Sequence, residues 1–273
     1  MLLQSNQLKF IYSPISTILR EAIVASSSIG EGIETYSVNE YILHSVFLKM
    51  TGAQEQKMKC IVWELASGDY EYRYFRYTQK PYGECSCFDE KNRIYRDLID
   101  QIVKRENTFN VSTYLNKIDI LNHVKTEIDD IFNTSSLKKT QPRLYHEYLE
   151  MISFVKAECI VAGDVSANKK NDERKILSKC DKCKYNSTKG GIIPCPTNKK
   201  NLFDVYELLY RHRNRCAHNT ASYQRNLPTL STLANSNYRY ENYFLYFAIL
   251  ILIDDVFIKL FDKYKKIIEM VII

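Results

Sequence analysis

The sequence predicts an all-α protein, and three observations lead to that fold class. Only 8 glycines and 6 prolines occur among 273 residues, so long stretches contain no helix-breaking residue. Several segments place apolar residues at intervals of three and four, the spacing of one face of an α-helix. The longest apolar run, Tyr243 to Ile253, is too short to cross a bilayer and ends in two aspartates, so it indicates a buried core helix.

In the N-terminal half, the spacing predicts a helix over residues 13–28, which the stretch SSSIGEG ends. Residues 37–67 keep helical spacing for most of their length with Gly52 as a candidate kink, so two helices or one bent helix both fit. The aromatic-rich stretch from residue 69 to 87 fits a short strand pair or an extension of the helix.

In the rest of the chain, three segments keep helical spacing for at least four turns: residues 88–104, 112–132 and 143–161. Residues 163–200 form a polar connection that is too long for a simple link and is therefore a candidate functional loop. Helix resumes near Asn201, which can cap LFDVYELLYRHRNRCAH, and the last helix covers about 240–270.

The positive charge is concentrated in the candidate loop. The chain has a net charge of +6, and residues 164–200 carry an excess of the same size, with ten Lys/Arg against four Asp/Glu. Such a segment suits a polyanion, and it also fits a solvated lysine-rich loop.

The N-terminus and the cysteines both indicate the compartment. The stretch MLLQSNQLKFIYSPIS lacks the basic region and long apolar run of a signal peptide, so we expect a cytoplasmic protein with no membrane segment. In that compartment 8 cysteines are expected to be reduced thiols or metal ligands rather than disulfides.

Three of these cysteines suggest a structural zinc site. Cys180 and Cys183 form a C-x2-C pair, and Cys195 follows in a context that resembles a zinc knuckle. A fourth ligand could come from one of four other residues: Cys216, His212, Cys85 or Cys87. Metal binding would order a polar segment that has little core of its own, whereas the simpler interpretation is a pair of exposed thiols on a basic loop.

The helix predicted over residues 201–218 has two different stripes. The first predicts the core-facing side, and it contains Val205, Leu208, Leu209, His212 and Cys216. We therefore expect His212 to be packed rather than reactive. The second stripe is polar, with intervals of four, four and three, and it contains Glu207, Arg211, Arg215 and His218. Backbone carbonyls at the helix end favour a protonated imidazole at His218, which suits acid/base chemistry on a phosphate.

The stretch RNRCAH, Arg213 to His218, resembles a known motif. It matches the Arg-Asn-x-x-x-His form of the motif of HEPN-domain ribonucleases, in which four to six residues separate Arg from His, and Arg211 offers a second register. The resemblance covers residues 111–273. It implies a helical bundle of HEPN type with a long basic, Cys-containing loop, and residues 1–110 would form an additional N-terminal helical region.

The resemblance also implies an activity. HEPN nucleases use no metal for the chemistry, so the implied function is an endoribonuclease without a catalytic cofactor that leaves 2′,3′-cyclic phosphate ends. Arg213 would hold phosphate oxygens, Asn214 would orient them, and His218 would act as base or acid. The flanking substrate-binding residues would be Arg211, Arg215 and Glu207.

The implied biology follows from the same family. Its members typically build the site across a two-fold dimer, so we expect a homodimer. They resemble toxins or abortive-infection effectors of antiviral defence, which act on tRNA or other RNA and can have a protein regulator or antitoxin. Two other hypotheses stay open: a non-catalytic HEPN-like module that binds RNA, a nucleotide or a protein, and a zinc-stabilised protein whose basic loop docks an acidic partner.

Two further stretches have alternative interpretations. The first, TGAQEQKMK, places Gln54, Glu55 and Lys57 in an otherwise apolar helix, where they could line a pocket, although a solvent-facing turn is the simpler interpretation. The second, YEYRYFRY, either stacks on bases or belongs to the core through Tyr72, Tyr74 and Arg76.

Overall fold

The computed structural model describes residues 6–26, 36–79, 83, 85–133, 135, 137–140, 142–154, 160–162, 174–177, 185–186, 191–192, 202–218 and 242–271. In these ranges the α-helices are α1 (Asn6–Tyr12), α2 (Ser16–Ser26), α3 (Tyr36–Gly68), α4 (Tyr70–Tyr74), α5 (Phe88–Val103), α6 (Val111–Tyr114), α7 (Lys117–Asn133), α8 (Leu137–Thr140), α9 (Pro142–Phe154), α10 (Leu202–His218) and α11 (Tyr243–Val271). Two short antiparallel pairs accompany them, β1 (Ile160–Ala162) with β2 (Lys175–Leu177) and β3 (Tyr185–Asn186) with β4 (Gly191–Ile192). The protein is therefore mainly helical, as predicted.

Helix α11 lies at the centre of the core. Its residues 243–253 are all buried, and α3, α5, α7, α9 and α10 pack against it. The Phe244 ring meets Phe132 of α7 and Tyr145 of α9 edge-on, with ring centroids 4.6 and 5.5 Å apart. This confirms the buried helix predicted from the apolar run. Of the helices in the described ranges, none is long and apolar enough to cross a membrane.

Helix α3 is one continuous helix of 33 residues, so the alternative of two separate helices is wrong. It runs through Gly52 without interruption and ends at Gly68. A Cβ at residue 68 would lie 2.8 Å from the Tyr264 hydroxyl, so glycine allows α3 to approach α11 closely there. Asp69 then caps the next helix by accepting a hydrogen bond from the Tyr72 backbone.

The stretch after Asp69 extends the helical region, and the strand-pair alternative is wrong for residues 70–79. Residues 75–79 follow α4 directly as a π-helix. Tyr72 is buried and donates its hydroxyl to Asp97 of α5 at 3.0 Å, and Arg76 Nε donates to the same carboxylate at 2.6 Å. Two of the three candidate stacking residues therefore anchor this segment to α5, while Tyr74 stays 54% exposed.

Two predicted helices have different bounds in the structure. The segment expected over 112–132 is divided, because the Asn116 side chain accepts hydrogen bonds from the Ile118 and Asp119 amides and so caps a new helix, α7. The helix expected to reach residue 161 ends at Phe154, and Ile160 lies in β1 opposite Leu177. The β-branched Ile160 suits a half-buried strand better than a helix end.

A fully buried ion pair joins α3 to α11 and to the turn between α1 and α2. Lys57 Nζ lies 2.6 Å from Asp254 Oδ1, with the two side chains 0% and 2% exposed. The same ammonium donates to the Ser13 carbonyl at 2.7 Å, and the other carboxylate oxygen accepts from the Ile15 amide at 3.0 Å. In the stretch TGAQEQKMK the solvent-facing interpretation is therefore wrong for Gln54 and Lys57, which are buried, whereas Gln56 and Lys59 are exposed. The division of the chain at residue 110 stays a prediction.

Candidate functional site

The candidate site lies on α10, which ends at His218 as the sequence predicted. The predicted apolar stripe faces the core, because Val205, Leu209 and His212 are all less than a tenth exposed. Leu208 and Cys216 on the same stripe are half-buried. This stripe of α10 therefore faces the core, as predicted.

His212 is a packed histidine, which confirms its predicted role. Its ring lies 5.2 Å from the Phe47 ring of α3, and its Nε2 is 2.9 Å from the Tyr243 hydroxyl of α11. Cys216 Sγ lies 3.5 Å from the same nitrogen. Burial lowers the pKa of the neighbouring His44, and the nearby His212 lowers it further. His44 therefore favours its neutral form.

Arg213 lies beside both Asn214 and a residue of α3. One of its terminal nitrogens donates to Asn214 Oδ1 at 3.1 Å, and the other donates to Glu55 Oε1 at 2.8 Å. The Arg213 and Glu55 side chains are 18% and 14% exposed, so the ion pair is accessible to a ligand at its edge. Two fixed acceptors hold the guanidinium in one orientation.

A buried lysine adds positive charge to this group. Lys91 of α5 is 2% exposed, and its ammonium donates to the Cys85 carbonyl at 2.7 Å and the Ser86 carbonyl at 3.3 Å. Burial lowers the pKa of Lys91 to about 8, with Glu55 opposing the shift and Arg213 adding to it. We call Glu55, Lys91, Arg213 and Asn214 the α3–α10 cluster. With Lys91 protonated it contains two cations and one carboxylate, and it therefore favours an anion.

The remaining predicted residues fall into three groups. Arg211 is exposed and Glu207 is half-buried on α10. Arg215 and His218 also belong to α10, but their side chains are not among those described. The predicted zinc ligands lie outside the described residues: Cys180, Cys183 and Cys195. In the part of the chain that is described, the cysteines are free and three or more metal-ligating side chains do not come together.

Glu55 is the site residue whose partner the sequence did not indicate. Its only signal was a charged residue in an otherwise apolar helix, for which the solvent-facing interpretation was simpler. Its partner lies 158 residues away, so no spacing rule connects the two.

Comparisons with protein-family models, with curated proteins and with solved structures give no match. The functional interpretation therefore depends on the residues of α10 and on their contacts with α3 and α5.

Proposed function

We propose that this protein is an endoribonuclease that cleaves RNA without a catalytic metal, through Arg213, Asn214 and His218 of α10. One observation carries the proposal: Arg213 and Asn214 bond to each other beside Glu55, on the helix whose last residue is His218. The resemblance of RNRCAH to the HEPN motif supports the proposal, because it implies the same three residues in the same roles.

The α3–α10 cluster can bind a phosphate. A guanidinium has five N–H donors, and the contacts to Glu55 and Asn214 use two of them. The remaining donor capacity suits two phosphate oxygens, which arginine binds bidentately. Lys91 adds positive potential to the cluster, since its ammonium interacts electrostatically with Arg213 and its own hydrogen bonds are to backbone carbonyls.

His218 would supply the proton transfers. As base it takes the proton from a ribose 2′-hydroxyl while the 2′-oxygen attacks phosphorus, and the bond from phosphorus to the 5′-oxygen breaks. As acid a histidine returns a proton to that leaving oxygen. The products are a 2′,3′-cyclic phosphate and a 5′-hydroxyl, and DNA is not cut because it lacks the attacking group.

One chain supplies one histidine of this kind, so a complete acid and base pair requires a homodimer. We therefore propose that the enzyme acts as a dimer on tRNA or another cellular or phage RNA, as a toxin or antiviral-defence effector controlled by a protein partner. The alternative is a non-catalytic HEPN-like module that binds RNA, a nucleotide or a protein. One observation favours this alternative: the Glu55 carboxylate already occupies part of the Arg213 guanidinium.

Histidine substitutions test the proposal. Purified wild type, His218→Ala and His146→Ala are incubated with total RNA and a tRNA pool in EDTA, and the fragment ends are mapped. His146 is the matched control because it lies on α9, is 75% exposed and belongs to no proposed site. We expect cyclic-phosphate ends from wild type and His146→Ala, and intact RNA with His218→Ala. Cleavage of single-stranded DNA would contradict the mechanism, and RNA binding without cleavage by wild type would favour the binding module.

A further inference from the structure

The turn before α5 contains two cysteines that are separated by a single residue, Ser86. Cys85 is 1% exposed, and Cys87 is half-buried. Cys87 occupies the N-cap position of α5, but its side chain makes no capping hydrogen bond. The Cys85 sulfur lies 3.7 Å from the Gly83 carbonyl, which is a weak contact because a thiol is a weak donor. In the described part of the chain, strong hydrogen bonds therefore do not occupy either thiol.

The backbone of this turn curves around one side chain. The carbonyls of Cys85 and Ser86 both accept hydrogen bonds from Lys91 Nζ, at 2.7 and 3.3 Å. Successive carbonyls of an extended chain point in opposite directions, so two carbonyls that meet the same atom require a bend. Cys85 also has a φ of 23°, in the left-handed region that few residues other than glycine adopt.

The bend brings Cys85 and Cys87 into the range of a disulfide. In a fully extended chain, the Cα atoms of two residues at this spacing are at most about 7 Å apart. A disulfide joins Cα atoms that are about 4.4–6.8 Å apart, and a bent turn shortens the extended distance into that range. Backbone strain of the kind seen at Cys85 is typical of residues with a role beyond packing.

Lys91 provides the charge that a thiol needs in order to react. Its ammonium interacts electrostatically with both Cys85 and Cys87. Burial raises the pKa of the Cys85 thiol, and Lys91 lowers it. The thiolate is the nucleophile in thiol oxidation, and a neighbouring lysine favours the thiolate. Two thiols beside one cation therefore have the surroundings of a reactive pair.

We propose that Cys85 and Cys87 are a modification site, which a hydroperoxide converts to a disulfide and which a reducing thiol restores. The more exposed Cys87 reacts first. Its thiolate forms an S–O bond while the O–O bond of the peroxide breaks, which gives a sulfenic acid. The Cys85 thiolate then attacks the Cys87 sulfur, so the S–S bond forms and the S–O bond breaks. With hydrogen peroxide, two thiols are oxidised and the peroxide is reduced to two molecules of water.

The same turn contacts α10, which links the modification to the proposed function. The Tyr206 hydroxyl of α10 donates to the Ser86 carbonyl at 3.1 Å. Closing a disulfide across Ser86 changes the direction of the carbonyls that Lys91 and Tyr206 use as acceptors. Lys91 in turn interacts electrostatically with Glu55 and Arg213. Resting on the proposed function, the oxidised state is therefore the less active one.

Mass mapping of the full chain tests the modification site independently of activity. Wild type is treated with hydrogen peroxide in EDTA, which removes bound metal ions, and is then alkylated and digested. We expect Cys85 and Cys87 to lose two hydrogens as a pair and to escape alkylation, and we expect dithiothreitol to reverse both changes. Cys60 and Cys216 are internal controls, because they are also free and half-buried, and they should stay open to alkylation.

Cys87→Ser shows whether the two sulfurs react with each other. This variant lacks the more exposed thiol, so Cys85 should stay reduced over the time in which the wild-type pair is oxidised. The proposal is overturned if both cysteines of peroxide-treated wild type remain open to alkylation, or if they bond to other cysteines instead. Equal oxidation of Cys85 in Cys87→Ser would overturn it as well.

Cleavage assays separate the regulation from the nuclease. Peroxide should lower RNA cleavage by wild type about 10-fold, because small displacements around a catalytic group are costly, and dithiothreitol should restore it. Cys87→Ser should keep its activity in peroxide. Unchanged cleavage after the disulfide has formed would overturn the regulation and leave the nuclease standing. A disulfide in a protein that leaves RNA intact in both states supports the modification site and contradicts the proposed function.

Discussion

Two ion pairs involve residues of α3 that lie two positions apart, and they differ in burial and in the groups that surround them. Lys57 pairs with Asp254 of α11, with the side chains 0% and 2% exposed. Glu55 pairs with Arg213 of α10, with the side chains 14% and 18% exposed. The first pair also bonds to the backbone of Ser13 and Ile15, so it holds the turn between α1 and α2 against α3 and α11. The second lies at the edge of the protein beside Asn214.

The difference shows which polar residues of α3 are structural and which can meet a ligand. Burial lowers the pKa of Lys57 and raises the pKa of Asp254, so for both groups desolvation outweighs their mutual attraction. Such a pair fixes the geometry of α3 against α11 and adds little net stability. The Glu55–Arg213 pair is partly exposed, and its guanidinium has donors left that a phosphate could use.

The largest expected effect comes from breaking the buried pair. Lys57→Met leaves the Asp254 carboxylate buried without its cation, which costs about 3–5 kcal/mol of the free energy of unfolding. Urea denaturation of wild type and the variant measures this loss. Because the cost comes from the unpaired charge, adding Asp254→Asn should recover part of it, and the two substitutions should be clearly non-additive. A double variant less stable than Lys57→Met would show that the pair contributes through packing instead.

The same two pairs show what the sequence could predict. The sequence predicts the buried helix α11 and the end of α10 at His218, because a continuous apolar run and a helix terminus each have a local sequence pattern. The polar residues of α3 have no local pattern that shows whether they are buried. Gln54 is fully buried because it donates to the Leu250 carbonyl at 3.0 Å, and that acceptor lies 196 residues away. Tertiary partners at such separations decide whether a polar residue is buried, and a single sequence does not show them.

A smaller, pH-dependent effect is expected from Lys91, the buried cation that interacts electrostatically with Glu55 and Arg213. Its pKa is about 8 in the folded protein against 10.5 for an ordinary lysine. The unfolded chain therefore binds more protons between these values, and the contribution of Lys91 to the free energy of unfolding rises as the pH increases from about 8 to 10.5. The full rise corresponds to about 3 kcal/mol.

Urea denaturation of wild type and Lys91→Met at several pH values isolates this contribution. Ionisable groups away from Lys91 titrate alike in both proteins, so their effects cancel in the difference, whereas Cys85, whose pKa Lys91 lowers, contributes to it. Stability of wild type relative to the variant should stay constant below pH 8 and increase above it. A difference that stays flat across this range would show that the ammonium keeps its ordinary pKa in the folded protein.

The smallest effect on stability is expected from Glu55→Gln, which should nevertheless lower activity. Because the pair is half-open, the free energy of unfolding should fall by less than about 1 kcal/mol. RNA cleavage should fall about 100-fold, since the guanidinium loses its ionic anchor and a small displacement of a catalytic group is costly. Glu64→Gln is the matched control: Glu64 is also half-buried on α3 and lies 3.6 Å from a cation of α11, Lys265. Thermal melts and cleavage rates of both variants separate the outcomes. Equal losses of activity would mean that the Glu55–Arg213 pair only supports the fold, whereas a loss confined to Glu55→Gln assigns it to the positioning of Arg213.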